Sequence, residues 1–116
     1  MIDTDNASSV VAAFGTAWAA HDLDGALSMT TDDCVFESTG PAPDGVRHQG
    51  HDAIRAAWQA IFDDTKSRFE VEESFAIGDR VVERWTYSWD GGHIRGVDLF
   101  RVRDGKVCEK FAYVKG

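Results

Sequence analysis

Hydrophobic residues recur every three or four positions in the first half of the chain and alternate with polar residues in the second half. The first spacing is typical of amphipathic helices and the second of strands. Three helices are therefore predicted: from about Ser8 to Ala20, a short one through Leu23 and Met29, and one from about His51 through Phe62.

Polar residues mark where these helices begin. Asn6, Ser8 or Ser9 can cap the first helix, because their side-chain oxygens can accept a hydrogen bond from an unpaired backbone N–H. Asp22 can cap the second helix in the same way, and Asp24 in its first turn suits the helix dipole.

Strands account for the rest of the regular structure. The segment from Cys34 to Thr39 alternates enough to be one, and residues 40–45 hold two prolines and two glycines that exclude regular structure. Four more strands are predicted at Phe69 to Ile77, Arg80 to Trp89, His93 to Arg103 and Lys106 to Lys115. They are joined by tight-turn sequences, Gly78-Asp79, Asp90-Gly91-Gly92 and Asp104-Gly105.

Successive hairpins make an antiparallel meander, and the amphipathic helices must bury their stripes against one face of it. The fold class is therefore α+β, with a twisted, cone-shaped antiparallel sheet wrapped around three N-terminal helices and a pocket at its mouth. The outer face carries Val97 and Leu99 beside Arg95 and Arg101, a mixture that suits a homodimer contact.

Composition narrows the class of partner. A chain of 116 residues is expected to form a single domain over residues 1–116. Its net charge of −8 makes nucleic acid or membrane an unexpected partner, and no apolar run is long enough for a membrane span. The acidic start, Met1 to Ser9, is unlike a secretory signal, so a cytoplasmic location is expected. Cys34 and Cys108 imply no disulfide framework.

Several segments carry a family resemblance. Residues Arg95 to Lys106 resemble the penultimate hairpin of SnoaL-like polyketide cyclases, and Glu109 to Lys115 resemble that family's last strand. Upstream, Ala19 to Ala26 and Gly50 to Ile54 resemble its helix-to-helix turn and the start of its third helix. The resemblance implies the nuclear-transport-factor-2-like (cystatin-like) α+β roll. It leaves function open, because this superfamily includes isomerases, cyclases, epoxide hydrolases, dehydratases and binding modules without activity.

Asp98 is the first candidate for chemistry, because a carboxylate in mid-strand between Val97 and Leu99 is out of place without a task. It lies opposite Trp85 if Gly91-Gly92 forms the turn, or opposite Glu83 if Asp90-Gly91 does. Burial against rings would raise its pKa and make it a general acid. By motif it falls where the related ketosteroid isomerases hold a protonated aspartate.

The alternative for Asp98 is a buried salt bridge with one of three cations, Arg95, Arg101 or Lys110. A three-residue turn before Lys106 would place Asp98 beside Lys110, and a two-residue turn would place it beside Phe111. An inward Lys110 would lower the pKa of Asp98 but could bind an enolate or a carboxylate.

Glu83 is ambiguous in the same way. It is a candidate second acid–base group, and it could instead pair with Arg84, Arg101 or Lys110 at the rim of the sheet.

The candidate substrate-binding residues are mostly aromatic and lie on the predicted inner faces: Phe14, Trp18, Ser38, Trp58, Trp85, Tyr87 and Phe100. Trp58 is the expected wall on the third helix, which resembles the helix that covers the cone in relatives. The resemblance places the isomerases' base at Ser38 and their phenol at Phe14, and the epoxide hydrolases' last-strand aspartate at Ala112. Neither activity is therefore expected, whereas the cyclase pattern needs Asp98 alone.

The four histidines have no metal-like spacing, and His51 is expected to help cap the third helix. No metal or other cofactor is predicted. Three hypotheses follow: a cofactor-free isomerase, cyclase or lyase acting on a small apolar carbonyl compound with Asp98 as acid–base; a protein that binds an apolar ligand without chemistry; and a dimeric interaction module with a vestigial pocket filled by Trp58, Trp85 and Phe100.

Overall fold

The computed structural model describes residues 4–115, with side chains from residue 6 onward. The helices in this range are α1 Thr4–Ala19, α2 Leu23–Ser28 and α3 His51–Asp63. The strands are β1 Thr30–Glu37, β2 Arg47–Gln49, β3 Arg68–Ile77, β4 Arg80–Trp89, β5 Gly92–Arg103 and β6 Lys106–Val114. Residues 1–3 lie outside the described range. They belong to the acidic stretch whose composition led us to expect no secretory signal. None of the described helices is long and apolar enough to cross a membrane.

The start of α1 differs from the prediction. The helix already includes Thr4, so Asn6, Ser8 and Ser9 lie inside it and none of them is its cap. The physical reason is that Ala7 is fully buried one turn before Val11, which extends the inward stripe toward the N-terminus.

The start of α2 confirms the prediction. Asp22 is its N-cap, and its carboxylate accepts a hydrogen bond from the backbone N–H of Gly25 at 2.9 Å. Residues 40–45 form neither helix nor strand, as predicted, but the short strand β2 that follows them was not expected.

The sheet has six strands in the order β2-β1-β6-β5-β4-β3. The predicted meander from β3 to β6 is confirmed, and each of its neighbouring strands is antiparallel. The expectation of a wholly antiparallel sheet is wrong, because β1 pairs in parallel with β6 and β2 extends the sheet beyond β1. The fold is therefore an α+β cone with a curved, unclosed, mixed sheet.

The β4–β5 register decides which residue of β4 lies opposite Asp98. Trp89 pairs with Gly92 across an Asp90-Gly91 turn, and Glu83 therefore pairs with Asp98. The alternative that placed Trp85 opposite Asp98 is wrong, since Trp85 pairs with Gly96.

The β5–β6 register differs from both predicted forms. The turn has two residues, because Arg103 pairs with Lys106, but Cys108 is an extra residue that forms a β-bulge. Beyond the bulge Phe100 pairs with Lys110, and Asp98 pairs with Ala112 rather than with Lys110 or Phe111. Since side chains alternate along a strand, Lys110 and Asp98 both project from the concave face.

The core lies between the helices and this concave face. Rings from three elements meet there: the centroid of Phe14 on α1 is 5.7 Å from that of Trp58 on α3 and 5.8 Å from that of Phe100 on β5. These rings belong to the packed core, and the open volume is bordered by Trp85 and Tyr87.

Candidate functional site

A cavity of about 200 Å³ opens on the concave side of the sheet, next to α1 and α3. Five of its twelve wall residues are aromatic: Trp18, Phe36, Phe69, Trp85 and Tyr87. The rest of the wall is completed by Ser38, Thr39, Ile61, Ile94, Asp98, Lys110 and Ala112. An apolar enclosure with a few polar groups is typical of a small-molecule site.

Asp98 and Lys110 form an ion pair in this wall. Nζ of Lys110 lies 3.2 Å from Oδ2 of Asp98, and the two side chains are only 7% and 1% exposed, respectively. The sequence left two environments open for Asp98, a reactive carboxyl and a buried salt bridge. In the structure Asp98 forms a buried salt bridge and also borders the cavity. Arg95 and Arg101 are not its partners, because they pair with Glu72 and Asp79.

Lys110 is held by rings as well as by the carboxylate. Its Nζ lies 4.5 Å from the ring centroid of Trp18, 5.1 Å from that of Phe36 and 5.9 Å from that of Phe100. Aromatic faces attract cations, so these contacts fix the ammonium where it meets both Asp98 and the cavity.

Burial raises the pKa of Asp98, and this effect outweighs the charge of Lys110 and its hydrogen bond, which lower it. The indole of Trp85 also favours the carboxylate. Nε1 of Trp85 and Oδ1 of Asp98 are nonetheless both buried without a hydrogen bond of ordinary geometry. An ionised Asp98 therefore depends chiefly on Lys110.

Glu83 is a second buried carboxyl, directly opposite Asp98 on the neighbouring strand. Burial first, and then the charge of Asp98, raise its pKa to about 7, while Lys110 acts in the opposite direction. Pairing with Arg84 or Arg101, considered from the sequence, does not occur: Arg84 pairs with Glu72 and Glu73, and Arg101 with Asp79 and Glu109. Glu83 does not border the cavity.

A family model described as the SnoaL-like domain matches residues 11–110 of the sequence. The chain belongs to this family. No curated protein matches the sequence at a significant level.

Solved structures agree with the assignment to the SnoaL-like family. A nuclear-transport-factor-2-like protein of unknown function from Mesorhizobium loti is 39% identical, with 97% of this chain and 93% of that chain covered and a TM-score of 0.88. A candidate polyketide cyclase from Sinorhizobium meliloti is 25% identical, with 90% and 93% covered and a TM-score of 0.77. A candidate ketosteroid isomerase from Kribbella flavida shares the fold at 14% identity, with 100% and 82% covered and a TM-score of 0.81.

In this SnoaL-like chain, four of the seven residues predicted from sequence to bind substrate border the cavity: Trp18, Ser38, Trp85 and Tyr87. Phe14, Trp58 and Phe100 do not, because they are buried in the core. The expectation that Trp58 forms the wall on α3 is wrong. Its ring is fully buried against Phe14 and Trp18, and Ile61 borders the cavity in its place. The vestigial module requires a pocket filled by Trp58, Trp85 and Phe100. The described residues instead leave an open cavity, with Trp85 in its wall and Trp58 and Phe100 outside it.

Six wall residues of the SnoaL-like cavity were not among the site residues predicted from sequence: Phe36, Thr39, Ile61, Phe69, Ile94 and Ala112. A signal was present for Phe36, which lies two residues before Ser38 and therefore on the same side of the extended chain. Phe69 could not have been found from the tight turn between β3 and β4. That turn pairs Ile77 with Arg80 and would place Phe69 opposite Ser88, but a register shift between Val71 and Glu73 moves it opposite Tyr87. His51 was also assigned wrongly: the N-cap of α3 is Gly50, and Nε2 of His51 lies 2.8 Å from Oγ1 of Thr30.

Two wall residues that were compared with relatives from sequence supply no carboxyl group in this SnoaL-like chain. Ser38 donates its hydroxyl to the carbonyl of Gly40 at 2.8 Å. Ala112 pairs with Asp98 and offers no acid. Among the described residues, no three His, Cys, Asp or Glu side chains are grouped to hold a metal. Proton transfer by Asp98 beside the ammonium of Lys110 is the chemistry that this arrangement can supply.

Proposed function

We propose that this protein is a cofactor-independent isomerase, cyclase or lyase that moves a proton on a small apolar carbonyl compound. The observation that carries the proposal is the ion pair of Asp98 and Lys110 in the wall of a cavity that is otherwise mainly apolar. Asp98 is the general acid–base, and Lys110 stabilises negative charge on the substrate.

The reaction needs no group beyond these two side chains. The Asp98 carboxylate takes a proton from the carbon next to the carbonyl, and the electrons of the broken C–H bond move to the carbonyl oxygen. The resulting enolate oxygen lies beside the ammonium of Lys110, where an apolar surrounding strengthens the attraction. Asp98 then returns the proton to the substrate at a second atom, which restores the carboxylate and completes the isomerisation.

The cavity volume favours a small substrate. At about 200 Å³ it lies below the range of roughly 300–1,000 Å³ that is common for drug-sized ligands. The rings of Trp85 and Tyr87 offer flat surfaces to a substrate of one or two rings.

Hydrogen–deuterium exchange tests the proposal without knowledge of the natural substrate. Small cyclic ketones are incubated with the protein in D₂O, and loss of the protons next to the carbonyl is followed by NMR. We expect Asp98→Asn to lower the exchange rate by about 10²- to 10⁴-fold, as is usual when a general base is lost. Glu70→Gln is the matched control, because Glu70 is an exposed carboxyl on β3. An Asp98→Asn protein with the wild-type exchange rate would refute the role of Asp98.

Binding without chemistry is the second candidate, and one observation favours it. Oδ2 of Asp98 is engaged by Lys110, and the resemblance implies that Ser38 and Phe14 replace the base and the phenol of the isomerases. Native mass spectrometry of the purified protein, followed by denaturation, distinguishes the two. A bound apolar compound that is released unchanged, together with no exchange on any ketone, would support binding.

We also propose that the partner at the outer sheet face is a second copy of the chain. Phe75, Val82, Leu99 and Phe111 are paired in turn across four strands and form an apolar row on that face. Phe75 is 50% and Leu99 36% exposed. Sedimentation velocity at micromolar concentration should give a dimer for the wild type and a monomer for Leu99→Arg; a wild-type monomer would refute the proposal.

A further inference from the structure

The proposed reaction does not use Glu83, although this carboxyl is 4% exposed and lies in the same cluster. Glu83 and Asp98 are directly opposite on β4 and β5, and such pairs have Cβ atoms about 4.5–5.5 Å apart. Asp98 borders the cavity and Glu83 does not. Glu83 is therefore placed to act on the site through Asp98 and not by contact with a substrate.

Few charged groups lie near Glu83 on the elements that pack against it. Asp98 on β5 and Lys110 on β6 are the charged groups that act on it, and β3 places the uncharged Ser74 opposite it. The residues of α1 buried in the core (Ala7, Val11, Phe14, Ala17 and Trp18) carry no charge. The cluster thus holds two carboxyls and one ammonium, and a buried charge without a partner is costly. One of the two carboxyls is expected to hold a proton.

The geometry indicates which carboxyl that is. Lys110 contacts Oδ2 of Asp98 at 3.2 Å, whereas no ion pair joins Lys110 to Glu83 among the described residues. Asp98 is therefore the better stabilised anion, and Glu83 is the better place for the proton. The pKa of Glu83, raised to about 7 by burial and by the charge of Asp98, agrees with this assignment.

We propose that Glu83 is a positioning residue that holds the single proton of the two-carboxyl cluster and thereby sets the net charge of the site. With Glu83 protonated, the cluster is neutral and can accept an enolate beside Lys110. With Glu83 ionised, a further negative charge stands behind Asp98 and opposes the enolate. This inference rests on the proposed function and adds that the favoured ligand state is an oxyanion formed while Glu83 is neutral.

Carboxyl titration tests the charge assignment without a substrate. In protein labelled with ¹³C at the glutamate side-chain carboxyl, we expect one signal to titrate near pH 7. That signal should be absent from Glu83→Gln and present in Glu70→Gln, which removes an exposed carboxyl of the neighbouring strand β3. Asp98→Asn should lower its midpoint by about one pH unit or more, because a like charge disappears, and Lys110→Met should raise it.

Two results would overturn the inference. One is a Glu83 signal that titrates at an ordinary glutamate pKa of about 4.3. The other is a Glu83 midpoint that Asp98→Asn leaves unchanged, since the two carboxyls would then share no proton.

The pH dependence of the exchange rate distinguishes a positioning role of Glu83 from a purely structural one. Wild-type exchange should fall as the pH rises above 7, and Glu83→Gln should lose that fall, because glutamine is neutral at every pH. Equal loss of activity at every pH in Glu83→Gln would overturn the positioning role. No exchange by the wild type, with the titration as expected, would count against the proposed function alone, because the titration does not depend on turnover.

Discussion

The ion pair of Lys110 and Asp98 should stabilise the fold far more than a surface pair of similar length. The perturbation is Lys110→Met, which keeps an unbranched apolar chain among the surrounding rings and removes the charge. Because the Lys110 and Asp98 side chains are 7% and 1% exposed, removal of one partner leaves a buried charge. The expected loss in the free energy of unfolding at pH 7 is about 3–5 kcal/mol.

Arg55→Met is the matched control for this loss. Arg55 and Asp24 are joined at 2.8 Å, but their side chains are 50% and 83% exposed. Exposed pairs contribute about 0–1 kcal/mol, so Arg55→Met should lower the free energy of unfolding by no more than that. The assay is urea unfolding followed by tryptophan fluorescence, with both variants and the wild type in the same buffer.

The pH dependence of the Lys110→Met loss gives a second check. Without the ammonium, the pKa of the folded-state Asp98 rises further above the ordinary aspartate value of about 3.9. A group with a raised folded-state pKa favours the folded protein below its unfolded-state pKa and disfavours it as the pH rises. The deficit of Lys110→Met should therefore shrink as the pH falls toward 4. The double variant Lys110→Met/Asp98→Leu should recover much of the loss at pH 7.

Two outcomes would refute this reasoning. If Lys110→Met loses no more stability than Arg55→Met, burial does not strengthen the pair. If the losses of Lys110→Met and Asp98→Leu simply add in the double variant, the two side chains do not interact energetically.

Three further changes have defined outcomes. The pKa of Glu83 rises from 4.5 to about 7 on folding, so wild-type stability should fall by about 3 kcal/mol as the pH rises from below 4.5 through 7. In Glu83→Gln, urea unfolding across that range should lack the part of the fall that Glu83 contributes. In Gly96→Ala, the added Cβ would lie 2.3 Å from the carbonyl oxygen of Tyr113 and 2.6 Å from the ring of Trp85. Such overpacking should cost about 1–3 kcal/mol and change the Trp85 emission spectrum, and an unchanged melting temperature would contradict it. Asp22→Ala removes the N-cap of α2 and should cost about 1 kcal/mol by urea unfolding, whereas Asp22→Asn should cost little.

Most of the fold could be predicted because its signals are local. Apolar spacing located α3, and the Asp-Gly and Gly-Asp turns located the hairpins that make the meander. The parallel pairing of β1 with β6 could not be predicted, since it joins segments far apart in the sequence and no turn between them fixes the register. The extension of α1 depends on burial of Ala7, which a small residue signals weakly.

The candidate site could be predicted in part for the same reason. Alternation along β5 places the Asp98 side chain on the inner face of the sheet. Both possible turns between β4 and β5 lead to the same face. The approach of Lys110 depends on the bulge at Cys108, and no glycine at or next to that position signals a bulge. Helical stripes showed that Phe14 and Trp58 point inward, but they do not show where close packing ends and open space begins.

The bulge at Cys108 decides which side chain of β6 reaches the cavity. If β6 kept the register of its turn, with Arg103 opposite Lys106 and no bulge, Phe111 would lie opposite Asp98 and face inward, and Lys110 would face outward. Asp98 would then keep its apolar surroundings and lose its counter-ion. The charge balance of the cavity is thus set by one extra backbone residue that is not itself part of the wall.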